Sequence, residues 1–129
     1  MSLTALELTA QDLKQYRPLE AIRRRKTAAR VDLAKRRRLA NQFASQAAKL
    51  LRREFKAEKI YLFGSLSRSD GFTLWSDIDI AVCGILPARF FEAVGAVTGI
   101  SADFKIDLID LDACPSAMRE IIEKDGIAL

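Results

Sequence analysis

The stretch from Ile60 to Val82, IYLFGSLSRSDGFTLWSDIDIAV, decides how the chain is read. An apolar run ends at Phe63, a Gly-Ser pair turns the chain, a polar loop follows, and a second apolar run carries Asp77 and Asp79. Successive side chains of a strand alternate faces, so Asp77 and Asp79 share one face while Ser76, Ile78 and Ile80 take the other. Their Cβ atoms then stand roughly 6 to 7 Å apart. At an effective dielectric of about 20, two such charges repel by about 2 to 3 kcal/mol. Arg68 is the nearest basic residue before the pair. A divalent cation would relieve the repulsion. Hard carboxylate oxygens beside a Gly-Ser turn with free backbone N–H groups predict a site for magnesium and a triphosphate.

The rest of the chain is read around this stretch. At 129 residues it is one domain by length, large enough to bury roughly two thirds of its unfolded surface without a staple. Cys83 and Cys114 are isolated and there is no histidine, which excludes the usual zinc constellations and suits a reducing, cytoplasmic setting. No run is long and apolar enough for a membrane span, and no secretory signal opens the chain.

Charge divides the two halves. Residues 1–59 carry +10 and residues 60–129 carry −6, so the chemistry is expected in the acidic half and an anionic or acidic partner at the basic one. Thr9 with Asp12 three positions on caps an expected short helix over residues 4–17, closed by Pro18. From Leu19 to Lys56 there is neither Gly nor Pro, and Ala, Leu, Arg, Lys and Gln dominate, which predicts one long helix or two in sequence. Phe43, Ala47, Leu50, Leu51 and Phe55 form its core-facing stripe. Before Leu39 the stripe thins to Ile22, Ala29, Leu33 and Ala40, a portion set against a partner or a second copy of the chain. The basic runs Arg23–Lys26 and Lys35–Arg38 surround a helix rather than face one groove. They are read as a solvated surface, a dock for an acidic protein, or an RNA contact, the last disfavoured by the lack of interleaved aromatics.

Beyond the central stretch, Pro87 opens a helix that carries Phe90, Phe91, Val94 and Val97 inward. Lys105 to Leu111, KIDLIDL, alternates as a third strand with Asp107, Ile109 and Leu111 on one face. Pro115 opens a last helix over residues 116–124, with Gly126 at its C-terminal end.

Leu62-Phe63-Gly64-Ser65, then eleven residues, then Asp77-Ile78-Asp79-Ile80 resembles the signature of the DNA polymerase beta type nucleotidyltransferases, in particular their minimal nucleotidyltransferase branch. The resemblance runs from Phe43 to the end. It implies an α/β fold, a small mixed sheet flanked by helices, with a basic helical extension over residues 1–40 ahead of the transferase domain at 41–129. It implies a third metal-binding carboxylate from a later strand, matched here by Asp107; Asp110 and Asp112 lie at the strand end, where solvated acids are common. Two Mg²⁺ ions, held by Asp77, Asp79 and Asp107, are implied, with ATP as substrate. Gly64 and Ser65 would bind phosphate oxygens, and Arg68 matches the Arg of the family's Gly-Ser-x-x-Arg stretch, as a phosphate contact or a loop anchor. The family follows that Arg with Gly, whereas this chain has Ser69 and Asp70 before Gly71.

The chain has no room for the acceptor-binding domain of larger relatives. Minimal members are paired with HEPN toxins whose tyrosine they adenylylate, so the resemblance implies an antitoxin that moves AMP from ATP to a partner's hydroxyl. The alternatives are a catalytically silent module that neutralises a protein or RNA partner, and a transferase acting on a small molecule such as an antibiotic.

Overall fold

The computed structural model describes residues 18–129. The helix expected over residues 4–17 lies outside them. From Pro18 to Phe55 the chain is one helix, α1, of 38 residues. Proline suits the opening position because the first helical N–H has no partner to lose. At the other end Lys56 turns left-handed, with φ 57°. The Ala57 N–H then donates to the Leu51 carbonyl at 3.1 Å and the Lys56 N–H to Arg52 at 3.2 Å, closing the last turn.

Two compact units meet between Asp32 and Leu33. In the first, the helical turns from Leu19 to Asp32 are almost wholly exposed. In the second, Ala40, Ala44, Ala47, Ala48, Leu51 and Phe55 of α1 are buried, with Leu33, Phe43 and Leu50 packed beside them. Four alanines on the buried line bring the helix close to its neighbours, and the larger Leu51 and Phe55 fill the far end. The second basic run does not behave as a free cationic surface. Arg36 and Arg37 turn inward and donate to main-chain carbonyls of the second unit, while Arg38 stays exposed.

The sheet comprises β1 (Lys59–Phe63), β2 (Ile78–Cys83), β3 (Ile106–Asp110) and β4 (Ile127–Ala128) in the order β3-β2-β1-β4. β1 runs antiparallel to β2 and β4, and β2 runs parallel to β3. The parallel pair requires a crossover, supplied by α2 (Pro87–Thr98). A last helix, α3 (Ser116–Asp125), precedes β4. The sheet is therefore mixed and flanked by helices, as the resemblance implies.

Alternation along the strands builds two layers. Ile60, Leu62, Ile78, Ile80, Val82 and Ile106 face the core that contains α1 and α2. Ala81, Cys83 and Leu111, with Tyr61 and Ile109, face Ile122 and Met118 of α3. On α2, Ala93 and Val97 are buried and Phe90 is packed against the core, but Phe91 is 90% exposed. One residue is about 100° of helix, which carries Phe91 off the line through Phe90, Ala93 and Val97. β4 is the element that patterning missed, being too short to show any period. It also changes the reason for Gly126. That residue has φ −72°, so left-handed freedom is not what it provides. A Cβ there would stand 2.5 Å from the Ile122 carbonyl oxygen and 3.2 Å from that of Leu62, so the close passage of the chain into β4 needs glycine.

Candidate active site

The α3-facing layer of the sheet is apolar where α3 covers it and acidic where α3 ends. Phe63 pairs with Asp79 across the antiparallel ladder, and Asp79 pairs with Asp107 across the parallel one. These three neighbours put Asp79 and Asp107 on the same face, both half-buried. Asp77 lies one residue before β2 rather than within it, also half-buried. Its position is set by a tight turn: the Thr73 N–H donates to Ser76 Oγ at 2.9 Å and the Ser76 N–H to the Thr73 carbonyl at 3.2 Å. The Ile78 N–H then donates to the Lys105 carbonyl at 2.9 Å, which registers the Asp77–Asp79 segment against the one that carries Asp107.

Burial pushes the Asp79 carboxyl above its ordinary pKa, and the charges of Asp107 and Asp77 push it the same way, with Lys105 pulling back. Lys105 is the residue that reading in sequence overlooked. It is distant from Asp77 and Asp79 along the chain, yet its ammonium stands 3.5 Å from Asp107 Oδ1. Its place two residues before Asp107 on an alternating strand was the available signal. The pair is exposed enough to contribute little stability, so a stronger cation can displace Lys105 at small cost.

Gly64 closes the other side. Its backbone lies at φ 72°, ψ −158°, a conformation suited only to glycine. A Cβ at this position would stand 2.2 Å from Asp79 Oδ2. Glycine is thus required both by conformation and by the carboxylate pressed against it. Ser65–Ser67 follow as a single 3₁₀ turn. The Ser67 hydroxyl donates to the Gly64 carbonyl at 2.7 Å, and the Arg68 N–H to that of Ser65 at 3.3 Å. Arg68 is exposed, forms no ion pair among the described residues, and lines a cleft of about 440 Å³ with Phe63, Gly64, Ser67 and α3 residues Ile121 and Asp125. Replacing Gly64 with Ala is expected to displace the Asp79 carboxylate and to strain the turn by about 1 to 3 kcal/mol. A melting temperature lowered by several degrees, with nucleotide binding lost at temperatures where the protein is still folded, would show both effects.

Asp110 and Asp112 have other work. Asp110 Oδ1 accepts from the Asp112 N–H at 3.0 Å, while Asp112 accepts from the Gly84 N–H at 2.9 Å and from Arg119 at 3.3 Å. Both bind the loop that leads into α3. Among the described residues, no three acidic or thiol side chains are gathered so as to hold an ion alone. Magnesium commonly binds one or two carboxylates and completes its shell with substrate phosphates and water. A mutually repelling set of hard carboxylate donors, with the Asp79 carboxylate lying against the Gly64 backbone beside the turn, fits that mode.

A four-stranded mixed sheet with a glycine-bounded turn after its first strand and carboxylates on the next two is the frame of a nucleotidyltransferase. The family described as polymerase beta, nucleotidyltransferase matches residues 45–129, and the chain belongs to it. Members generally use a nucleoside triphosphate and divalent metal. Among solved structures, a toxin–antitoxin with AMP-PNP is 29% identical, with TM-score 0.54, covering 66% of this chain and 70% of that one. A tri-AMPylated Shewanella oneidensis HEPN toxin in complex with MNT antitoxin is 27% identical, with TM-score 0.52 and coverages of 69% and 70%. A structure described as a minimal nucleotidyltransferase has TM-score 0.59 at 20% identity, covering 72% and 95%, and supports the fold alone. Comparison with curated proteins returns no match. No helix among the described residues is long and apolar enough to cross a membrane.

Proposed function

We propose that the protein transfers AMP from Mg-ATP to a side-chain hydroxyl of a HEPN-type protein partner, and so acts as the antitoxin of a pair. The observation that carries the reading is the register of Asp79 beside Asp107 on the uncovered part of one face, with Gly64 packed on the Asp79 carboxylate. The neighbours named above support it: one is bound to an ATP analogue, and another holds an AMPylated HEPN toxin with its MNT antitoxin.

In this reading Gly64 allows the triphosphate to approach the backbone, Ser65 and the turn's N–H groups bind its oxygens, and Arg68 contacts them from the cleft wall. Asp77 and Asp79 would hold one magnesium ion, and Asp107 with them a second. Bound there, magnesium supplies neutralisation of the phosphates and acidifies the acceptor hydroxyl. The acceptor oxygen forms a bond to the α-phosphorus in line with the departing oxygen. That P–O bond breaks and pyrophosphate leaves with the electron pair. Asp107, half-exposed at the edge strand, takes the hydroxyl proton on the side from which an acceptor reaches the face.

Incubation of the protein and Mg-ATP with the product of the neighbouring reading frame should add AMP to a partner hydroxyl, read by mass spectrometry of the partner's peptides. Neutralisation of the partner by stoichiometric binding, with no added AMP, would replace this reading with that of a silent binding module. An unaltered, unbound partner would remove both.

A further inference from the structure

We infer that Arg36 and Arg37 of α1 are positioning residues for the nucleotide site: Arg37 holds the Gly64–Arg68 turn in its phosphate-binding shape, and Arg36 holds the segment that leads into Asp107. The inference rests on the nucleotidyl-transfer reading and deepens it, because nothing in the motif itself reaches these two residues.

The Arg37 guanidinium donates to the Leu66 carbonyl at 3.2 Å and to the Arg68 carbonyl, and lies 5.6 Å from the centroid of the Phe72 ring. Leu66 and Phe72 are buried, so the turn is pinned from below by its apolar side chains and from the side by one planar cation. The Ser67 and Arg68 N–H groups close the turn on the Gly64 and Ser65 carbonyls, and Arg37 takes the Leu66 and Arg68 carbonyls, so the clamp fixes the path of the backbone that passes the cleft. The 3₁₀ turn has only three residues and no side-chain cap at Gly64; its own hydrogen bonds run back to Gly64 and Ser65, and Arg37 is what ties the Leu66 and Arg68 carbonyls to α1.

Arg36 repeats the device on the other segment. Its guanidinium donates to the Asp103 carbonyl at 3.0 Å and stacks 4.1 Å from the Phe104 ring centroid, and that ring in turn meets Phe43 at 5.9 Å. The Arg36 Nε is buried with no hydrogen-bond partner, a cost that a merely solvated arginine would not bear. Asp103 and Phe104 directly precede Lys105, whose carbonyl fixes Ile78 and whose ammonium meets Asp107. Adjacent arginines on one helix therefore clamp the two segments that bring the phosphate turn and the third carboxylate to the site. Each arginine combines a donor to a main-chain carbonyl with a planar group held over an aromatic ring, and lysine supplies no planar face for the second contact.

Mg-ATP binding by calorimetry, ATP-dependent kinetics and amide exchange on the full chain test this. In Arg37→Gln the dissociation constant and KM for ATP should rise about tenfold with kcat little changed, and exchange at residues 65–69 should accelerate. Arg37→Lys, which keeps the charge and the stem over Phe72, should fold and recover only part of the affinity. Methylguanidinium added to Arg37→Ala should restore binding. Arg38→Gln, an exposed neighbour, should alter none of these. Arg36→Lys should lower kcat rather than ATP affinity, since the segment it holds carries the acceptor-side carboxylate. Wild-type protein that fails to bind Mg-ATP would sink the transferase reading, and the positioning role with it. Wild-type protein that binds, with Arg37→Gln and Arg37→Lys binding equally well and only melting earlier, would overturn the positioning role alone.

Discussion

Asp79→Asn is expected to lose Mg-ATP binding by at least about a hundredfold, close to 2.7 kcal/mol, while the metal-free protein becomes more stable than the wild type. The two effects share one cause. Asp79 is half-buried between Asp77 and Asp107, and burial with like charge raises its pKa. Ionising it at neutral pH therefore costs folding free energy, a cost that partial exposure and Lys105 reduce. The neutral amide removes that cost and should raise the melting temperature by a few degrees. A carboxyl with a folded pKa above its unfolded one destabilises increasingly as pH rises from the unfolded pKa through the folded one. Wild-type stability should accordingly fall over that interval more steeply than that of Asp79→Asn, and saturating magnesium with ATP should make the wild type the more stable of the two, since it alone gains binding free energy. Asp77→Asn should lose nucleotide in the same way, with a smaller gain in stability because Asp77 precedes the strand and its charge acts on Asp79 after burial and Asp107. Calorimetric affinities unchanged in both variants would remove the metal site from the account.

How far the sequence could be read differs from element to element. The strand pair follows from two-residue alternation, which survives folding because a one-residue slip would turn Ile78 and Ile80 out of a core in which both are fully buried. Asp107, by contrast, was matched by the resemblance, and its place beside Asp79 belongs to the register of β2 and β3. The long helix followed from the absence of Gly and Pro, and its buried line from spacing. What alternation and spacing cannot carry is the meeting of residues far apart in the chain. Lys105 neutralises Asp107 and moderates Asp79 only because β2 and β3 are parallel neighbours. Arg36 and Arg37 look like any other residues of a basic run until the loops they hold, around residues 66–68 and 103, come to lie beside α1. Glycine was legible at Gly64 from its motif, but the nearness of Asp79 that makes a side chain there impossible belongs to the fold.

Asp107→Asn is expected to leave Mg-ATP affinity within a fewfold of wild type and to slow transfer to the partner by roughly 10² to 10³. Asp107 lies on the edge strand, farther from the Gly64 turn than Asp79, and its present partner is a lysine at 70% exposure rather than a buried group. Removing its charge leaves the triphosphate side of the site intact, whereas the acceptor hydroxyl loses its proton acceptor and the charge that helps to hold a second cation. Because the loss falls on the step and not on nucleotide binding, kcat should fall with KM for ATP nearly constant. Asp110→Asn is the matched control: the amide oxygen can still accept from the Asp112 N–H, so both transfer and stability should stay near wild type. The contrast between these two carboxylates, three residues apart on one strand, bears directly on which of them serves the chemistry. Equal loss of ATP binding in the Asp77, Asp79 and Asp107 variants would put all three on a single ion and end the division between a nucleotide side and an acceptor side. Loss of transfer in Asp110→Asn with Asp107→Asn active would exchange their roles.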